Sequence, residues 1–297
     1  MKWMHYILIL GFFTGLHAQT PVFDGDKAFD LLVKQCDFGP RVPGSKAHTL
    51  CQAYLTAALK ELADEVITQP FMFRYGVPTK TVTATNIYAK FQPKNPNRVL
   101  VCAHWDSRPW ADKDPNPANH NKPVLGANDG ASGVAVLLEL ARLLHDVPPA
   151  IGVDLVLLDA EDAGQYDDND SWAVGSRQFV QHFGYMLYPK YGILLDMIGD
   201  ADLTIYQEAF STQYARPVVD KVWGAAQQLG IDCFVPQVRF SVFDDHIAFL
   251  SAGIPCIDLI DFDYPAWHTT NDTPDQCSPV SLEKVGRLLT HLIYSEK

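Results

Sequence analysis

The sequence lacks any apolar run of the roughly 20 residues that a helix needs to cross a bilayer. Its most apolar stretch, residues 6–16, follows Lys2 and gives way to Ala18 and Gln19. That is the pattern of a secretory leader cleaved after Ala18. No cysteine adjoins the expected cut, so no lipid anchor is implied. Basic residues are short in number: 23 Lys and Arg stand against 35 Asp and Glu, a formal net charge of −12. A chain with that balance offers no basic face to nucleic acid or to an anionic membrane. Repeats, low-complexity tracts and Pro/Gly/Ser linkers are missing, so one domain over 19–297 is the simplest organisation. Cysteine is sparse. Its six positions form neither C-x-x-C nor a zinc-finger spacing, and Cys102 and Cys256 fall in apolar strand-like runs where a buried thiol is expected. G-x-S-x-G, H-E-x-x-H, G-x-G-x-x-G and the phosphate-cradling loop are all absent. What is present is ordinary globular material, 47% hydrophobic and 20% charged, which is enough for a sizeable core.

Ser45 is placed to cap a helix running to about residue 63, with Leu55, Leu59 and Leu62 on one face. Residues 66–75 and 81–91 are rich in β-branched and aromatic side chains and read as a strand pair at a sheet edge. Beyond them, apolar strands at 98–103, 153–159, 191–197 and 254–260 alternate with helical segments at 131–144, 174–182, 215–229, 246–251 and 282–294. This alternation predicts an α/β fold in which a mixed, mostly parallel, twisted central sheet is covered by helices on both faces. In such sheets functional groups collect outside the carboxyl ends of the strands.

That edge is where the polar residues gather. The 98–103 strand ends in His104-Trp105-Asp106, and the next helix is entered through Gly126-Ala127-Asn128-Asp129-Gly130. The following strands end in Glu161-Asp162 and in Leu195-Asp196-Met197, and the last is followed by Trp267-His268. Taken singly, each has an ordinary structural use: an aspartate after a strand caps a helix, and a lone histidine is hydrogen-bonded core. Five such groups at successive strand ends point instead to a metal site, because carboxylate oxygen and neutral imidazole nitrogen are donors that zinc accepts. His48, His120, His145, His182 and His291 have no comparable setting and read as surface residues.

In this order the motifs His104-Trp105-Asp106-Ser107, Gly126-Ala127-Asn128-Asp129, Glu161-Asp162, Gly175-Ser176-Arg177, Leu195-Asp196-Met197 and Trp267-His268-Thr269 resemble the zinc-dependent aminopeptidases and glutaminyl cyclases, which share one α/β fold. The likeness runs from about Thr81 to the C-terminus. The aminopeptidase branch implies two metals on His104, Asp129, Asp162, Asp196 and His268, with Glu161 activating water. The cyclase branch implies one zinc ion per chain on Asp129, Asp162 and His268, with Glu161, Asp196 and Asp244 catalytic. Phe243-Asp244-Asp245-His246 and Trp267 are similar to the cyclases, whereas Gly130-Ala131-Ser132-Gly133 is closer to the aminopeptidases. The acidic segment 163–171 has no clear counterpart, which leaves Trp172 and Tyr166 as candidates for an aromatic wall.

The cyclase reading implies substrates that are peptides and proteins with an N-terminal glutamine, which is ring-closed to pyroglutamate. Trp267, Tyr264 and Trp172 are the expected substrate-binding residues. With its leader removed, the protein is expected to be a secreted or periplasmic monomer whose own first residue is Gln19. A family member that keeps the fold without catalysis is a third possibility; lost ligands would mark it, and every ligand type is present.

Overall fold

The computed structural model describes residues 20–76 and 78–297. The leader expected at 1–18 lies outside the described residues. Helix α1 (Gly25–Cys36) is capped by Asp24, whose carboxylate accepts the Lys27 N–H at 3.1 Å. Its Ala28, Leu32 and Cys36 recur every four residues and are buried. Helix α2 (Lys46–Leu62) begins at Ser45 as expected, the hydroxyl accepting the His48 N–H at 3.0 Å. Strands β1 (Glu65–Tyr75) and β2 (Lys80–Phe91) form the anticipated antiparallel pair. Strand and helix then alternate through β3 (Arg98–His104), α3 (Ala131–Asp146), β4 (Gly152–Leu158), α4 (Val174–Phe183) and β5 (Gly192–Asp196). Next come β6 (Ile205–Glu208), α5 (Ala209–Tyr214), α6 (Arg216–Gln228) and β7 (Phe234–Phe240). Of these only α6 is legible in the sequence, since β6 and α5 are very short and β7 is largely exposed and carries Pro236. Helix α7 (His246–Ser251), β8 (Cys256–Ile260) and α8 (Pro279–Ser295) complete the chain.

The main sheet has the order β1-β2-β4-β3-β5-β8. The β4/β3, β3/β5 and β5/β8 pairings are parallel, and β2 joins β4 antiparallel. Side chains alternate between two apolar faces. Val99, Val101, Ile193, Leu195, Ile257 and Leu259 enter the larger core, with residues of α1, α3 and α8. Leu100, Cys102, Val156, Leu194 and Cys256 meet Phe179 and Phe183 of α4 and Phe249 of α7 on the other side. Burial on both faces explains why these strands read as continuous apolar runs; each fully buried aliphatic side chain contributes about 1.5–3 kcal/mol. All six cysteines are buried free thiols.

From β3 the chain passes through α3 to β4, and from β4 it returns through α4 to β5 on the opposite side of β3. The direction of winding therefore reverses between β3 and β5, and a crevice opens beyond their carboxyl ends. Arg41, fully buried, spans the long β3–α3 connection: its guanidinium donates to the carbonyls of Trp105 at 2.9 Å, Leu125 at 2.8 Å and Gly126 at 2.6 Å. His48 departs from the surface position expected of it. Its Nε2 lies 2.9 and 3.0 Å from the two carboxylate oxygens of Asp159, and its ring stacks on Trp105. A buried carboxylate needs such a partner, and Asp159 stands at the end of β4, under the site.

Candidate functional site

The crevice holds a cleft of about 200 Å³, below the roughly 300–1,000 Å³ of pockets that enclose drug-sized ligands. Asp129, Glu161, Asp162, Asp196, Asp244 and His268 line it together, brought from five separate segments of the chain. Tyr166, Trp172, Phe243, Phe262 and Trp267 supply aromatic walls. Tyr264 does not line the cleft. It is buried behind it, where its hydroxyl donates to Asp272 at 2.8 Å.

The backbone is bent sharply to present these groups. Ala160, Met197 and His268 have φ of 56°, 47° and 55°, a left-handed conformation that costs a non-glycine residue about 1–3 kcal/mol and persists where the surroundings enforce it. Each is a site residue or the neighbour of one. At Gly130, with φ 96°, a Cβ would lie 2.6 Å from the Asp106 carbonyl oxygen and 3.0 Å from the His104 ring, so only glycine lets the chain turn from Asp129 into α3. Two carboxylates outside the cleft aim the ones inside. Asp106 accepts the N–H groups of Glu161 at 3.1 Å and Asp162 at 3.3 Å, and Asp272 accepts those of Asn128 at 2.8 Å and Asp129 at 3.1 Å.

Two sets of donors meet at Asp129. In the first, His268 Nε2 lies 3.0 Å from Asp162 Oδ1 and 3.6 Å from Asp129 Oδ2. In the second, His104 Nε2 lies 3.2 Å from both Asp129 Oδ1 and Asp196 Oδ1, and its Nδ1 is 3.6 Å from Asp106. A third group, Asp244, His246 and Asp258, lies buried with donor atoms within 4.8 Å of one another. His246 also reaches Glu208 at 3.2 Å. The zinc donor set fits the first group. It offers two carboxylates and one imidazole, and the buried Oδ2 atoms of Asp129 and Asp162 have no hydrogen-bond partner.

The charge states of the two imidazoles differ. Burial and the nearby Arg108 guanidinium push the His268 pKa down to about 3, so its ring is neutral. Burial opposes a charge on His104 as well, but the nearby carboxylates of Asp106, Asp129 and Asp196 hold its pKa well above the usual range. Burial and the charge of Asp244 raise Glu161 well above an ordinary carboxyl. Asp244 is likewise raised, by burial and by Asp196, and burial raises Asp196 itself.

Around His268 the packing is aromatic. Trp267 stacks on it at 4.1 Å, and the Trp172 ring runs parallel to it at 6.1 Å. Arg108, fully buried, donates to the Asp162 carbonyl at 2.8 Å and to both oxygens of Asp112 at 2.8 and 2.7 Å. The Tyr166 hydroxyl lies 2.9 Å from His268 Nδ1. Arg108, Asp272 and this hydroxyl are the contributors that sequence reasoning misses. They sit in irregular connections without periodicity, and only the closing of the fold brings them to the site.

A family model described as peptidase family M28 matches residues 86–293. The chain belongs to peptidase family M28. Among solved structures, a glutaminyl cyclase of Tannerella forsythia is 40% identical, with a TM-score of 0.87 over 93% of this chain and all of that one. A glutaminyl cyclase of Bacteroides thetaiotaomicron bound to N-acetylhistamine is 36% identical, with a TM-score of 0.89 over 94% of this chain and all of that one. The glutaminyl-peptide cyclotransferase of Boiga dendrophila is 24% identical over 84% of this chain and 75% of its own length. These likenesses confirm the mixed α/β fold and the family resemblance read from the strand-end motifs.

Proposed function

We propose that this M28 protein converts the N-terminal glutamine of peptides and proteins to pyroglutamate with release of ammonia, using one zinc ion held by Asp129, Asp162 and His268. The observation that carries the one-ion reading is geometric: His104 Nε2 is hydrogen-bonded to Asp196 at 3.2 Å, whereas Asp129 and Asp162, which flank His268 Nε2 at 3.6 and 3.0 Å, keep buried Oδ2 atoms without a hydrogen-bond partner. Zinc bound there would act as a Lewis acid on the glutamine carboxamide.

The remaining steps belong to the side chains. The substrate's α-amine attacks its own side-chain carboxamide carbon, and Glu161 takes a proton from that amine. Glu161 then gives the proton to the departing nitrogen, so that one C–N bond forms, another breaks and ammonia leaves. The raised pKa of Glu161 suits a group that must both accept and donate near neutral pH. Asp196 and Asp244, both raised, are suited to share a proton and hold the amine and the leaving group in place. Nucleophile and electrophile lie in one residue, so much of the gain comes from holding the folded attack conformer. The indoles of Trp172 and Trp267 keep competing water out. Tyr264 supports this arrangement through Asp272, which holds the Asp129 backbone.

The reading extends to a monomer exported through the 1–18 leader; among the described residues no helix is long and apolar enough to cross a membrane. A two-metal aminopeptidase is favoured by one observation, that His104, Asp129 and Asp196 also place donor atoms within 4.8 Å of one another. Incubation with a short peptide beginning in glutamine, followed by mass, separates the two. Loss of ammonia alone is expected here, and loss of the first residue would overturn the reading in favour of hydrolysis.

A further inference from the structure

Tyr166 is the one residue of the 163–171 segment that touches a candidate metal ligand through a polar atom. The residue is 52% exposed at the mouth of the cleft, while its hydroxyl reaches inward to His268 Nδ1 at 2.9 Å. The opposite ring nitrogen, Nε2, faces Asp162 and Asp129. Among the described residues the other polar group near Nδ1 is Asp112, at 3.7 Å. That is beyond hydrogen-bond length, and both Asp112 oxygens already accept from Arg108. The tyrosine ring is itself held in place. The Lys113 ammonium lies 4.3 Å from its centroid and the Arg108 guanidinium 5.5 Å, both within cation–π range. The Lys113 N–H also donates to the His268 carbonyl at 3.1 Å. One small assembly therefore fixes both the backbone and the ring of this histidine.

We propose that Tyr166 is a positioning residue for the metal: its hydroxyl oxygen accepts the Nδ1 proton of His268, which leaves the lone pair on Nε2 and fixes the ring plane toward Asp129 and Asp162. The inference rests on the zinc reading above. A ligating histidine depends on the partner of its other nitrogen, and removing such a partner typically weakens metal binding about 10–100-fold. The segment that walls the cleft would then also set how tightly the ion is kept, which links substrate access to metal retention.

Two measurements test this. In chelator competition, Tyr166→Phe should hold zinc about 10–100-fold less tightly than the unaltered protein, and rate lost at limiting zinc should return as zinc is raised. Because the ring stays, a merely structural role would move neither readout. Zinc affinity unchanged in a folded Tyr166→Phe protein would overturn the proposal. The second measurement needs no variant: the 15N spectrum of histidine-labelled holoenzyme should show His268 protonated on Nδ1 and metal-bound on Nε2. Metal on Nδ1 would overturn the proposal while leaving the zinc reading intact. Failure of the unaltered protein to take up zinc would overturn both.

Discussion

His104 and His268 approach the same carboxylate, Asp129, and are almost equally buried, yet their surroundings push their pKa values in opposite directions. His104 ends a central strand and faces Asp106, Asp129 and Asp196, whose carboxylates raise its pKa well above the usual range. His268 sits on an irregular segment with φ 55° beside Arg108 and two indoles, so it stays neutral. Residue type and strand-end position put both on the candidate list. The company each keeps is what makes one the proposed ligand and the other a partner of carboxylates.

The sharpest way to break this comparison is to remove one imidazole at a time. His268→Ala should abolish both zinc retention and cyclisation, measured by metal content and ammonia release; a metallated, active variant would erase the distinction. Glu161→Gln should keep the metal and slow turnover by about 10²–10⁴-fold, the usual worth of an acid–base group. An undiminished rate would remove Glu161 from that role. His104→Ala should retain one zinc per chain and lose about 10–100-fold in activity through disorder of the acids it contacts. Two tightly held zinc ions in the unaltered protein would make the histidines equivalent and point to the aminopeptidase chemistry.

The smallest expected effect concerns pH. Burial pushes Asp162 and Asp245 up to about 7, whereas carboxyls in an unfolded chain titrate near about 3.9. Between these values the metal-free folded state holds protons that the unfolded state releases. Their contribution to its stability is therefore full at low pH and is lost as pH rises from about 4 to about 7. Zinc on Asp162 favours the ionised form, so the gap between the melting temperatures of zinc-loaded and chelated protein should widen over that interval. A gap independent of pH would separate Asp162 from the metal.

Much of the scaffold was legible because parallel strands buried on both faces read as unbroken apolar runs. Of the polar groups that follow those runs, Asp129, Glu161, Asp162, Asp196 and His268 line the crevice, while His104, Asp106 and Asp159 do not; Asp244, expected from the family resemblance, lines it as well. Position along the chain does not reveal orientation, however. Tyr264 reads as a wall residue, but Asp272, eight residues further on, claims its hydroxyl. His48 reads as surface until the fold sets it beneath Asp159. Strand β7 escapes notice because its mostly exposed residues carry no clear apolar alternation. Protonation was the least legible property of all, since it depends on Arg108 and on Asp106, which approach from a connection without regular structure.

Arg41 carries a practical lesson about where this molecule may be cut. The match to the family model starts at residue 86, so a version trimmed to that point would preserve every proposed donor. It would nonetheless strand three carbonyls that the guanidinium serves, at both ends of the excursion leading to Asp129. The span of the family model and the unit that folds therefore have different borders, and Arg41 acts as a remote fastener for a centre whose lining it does not join.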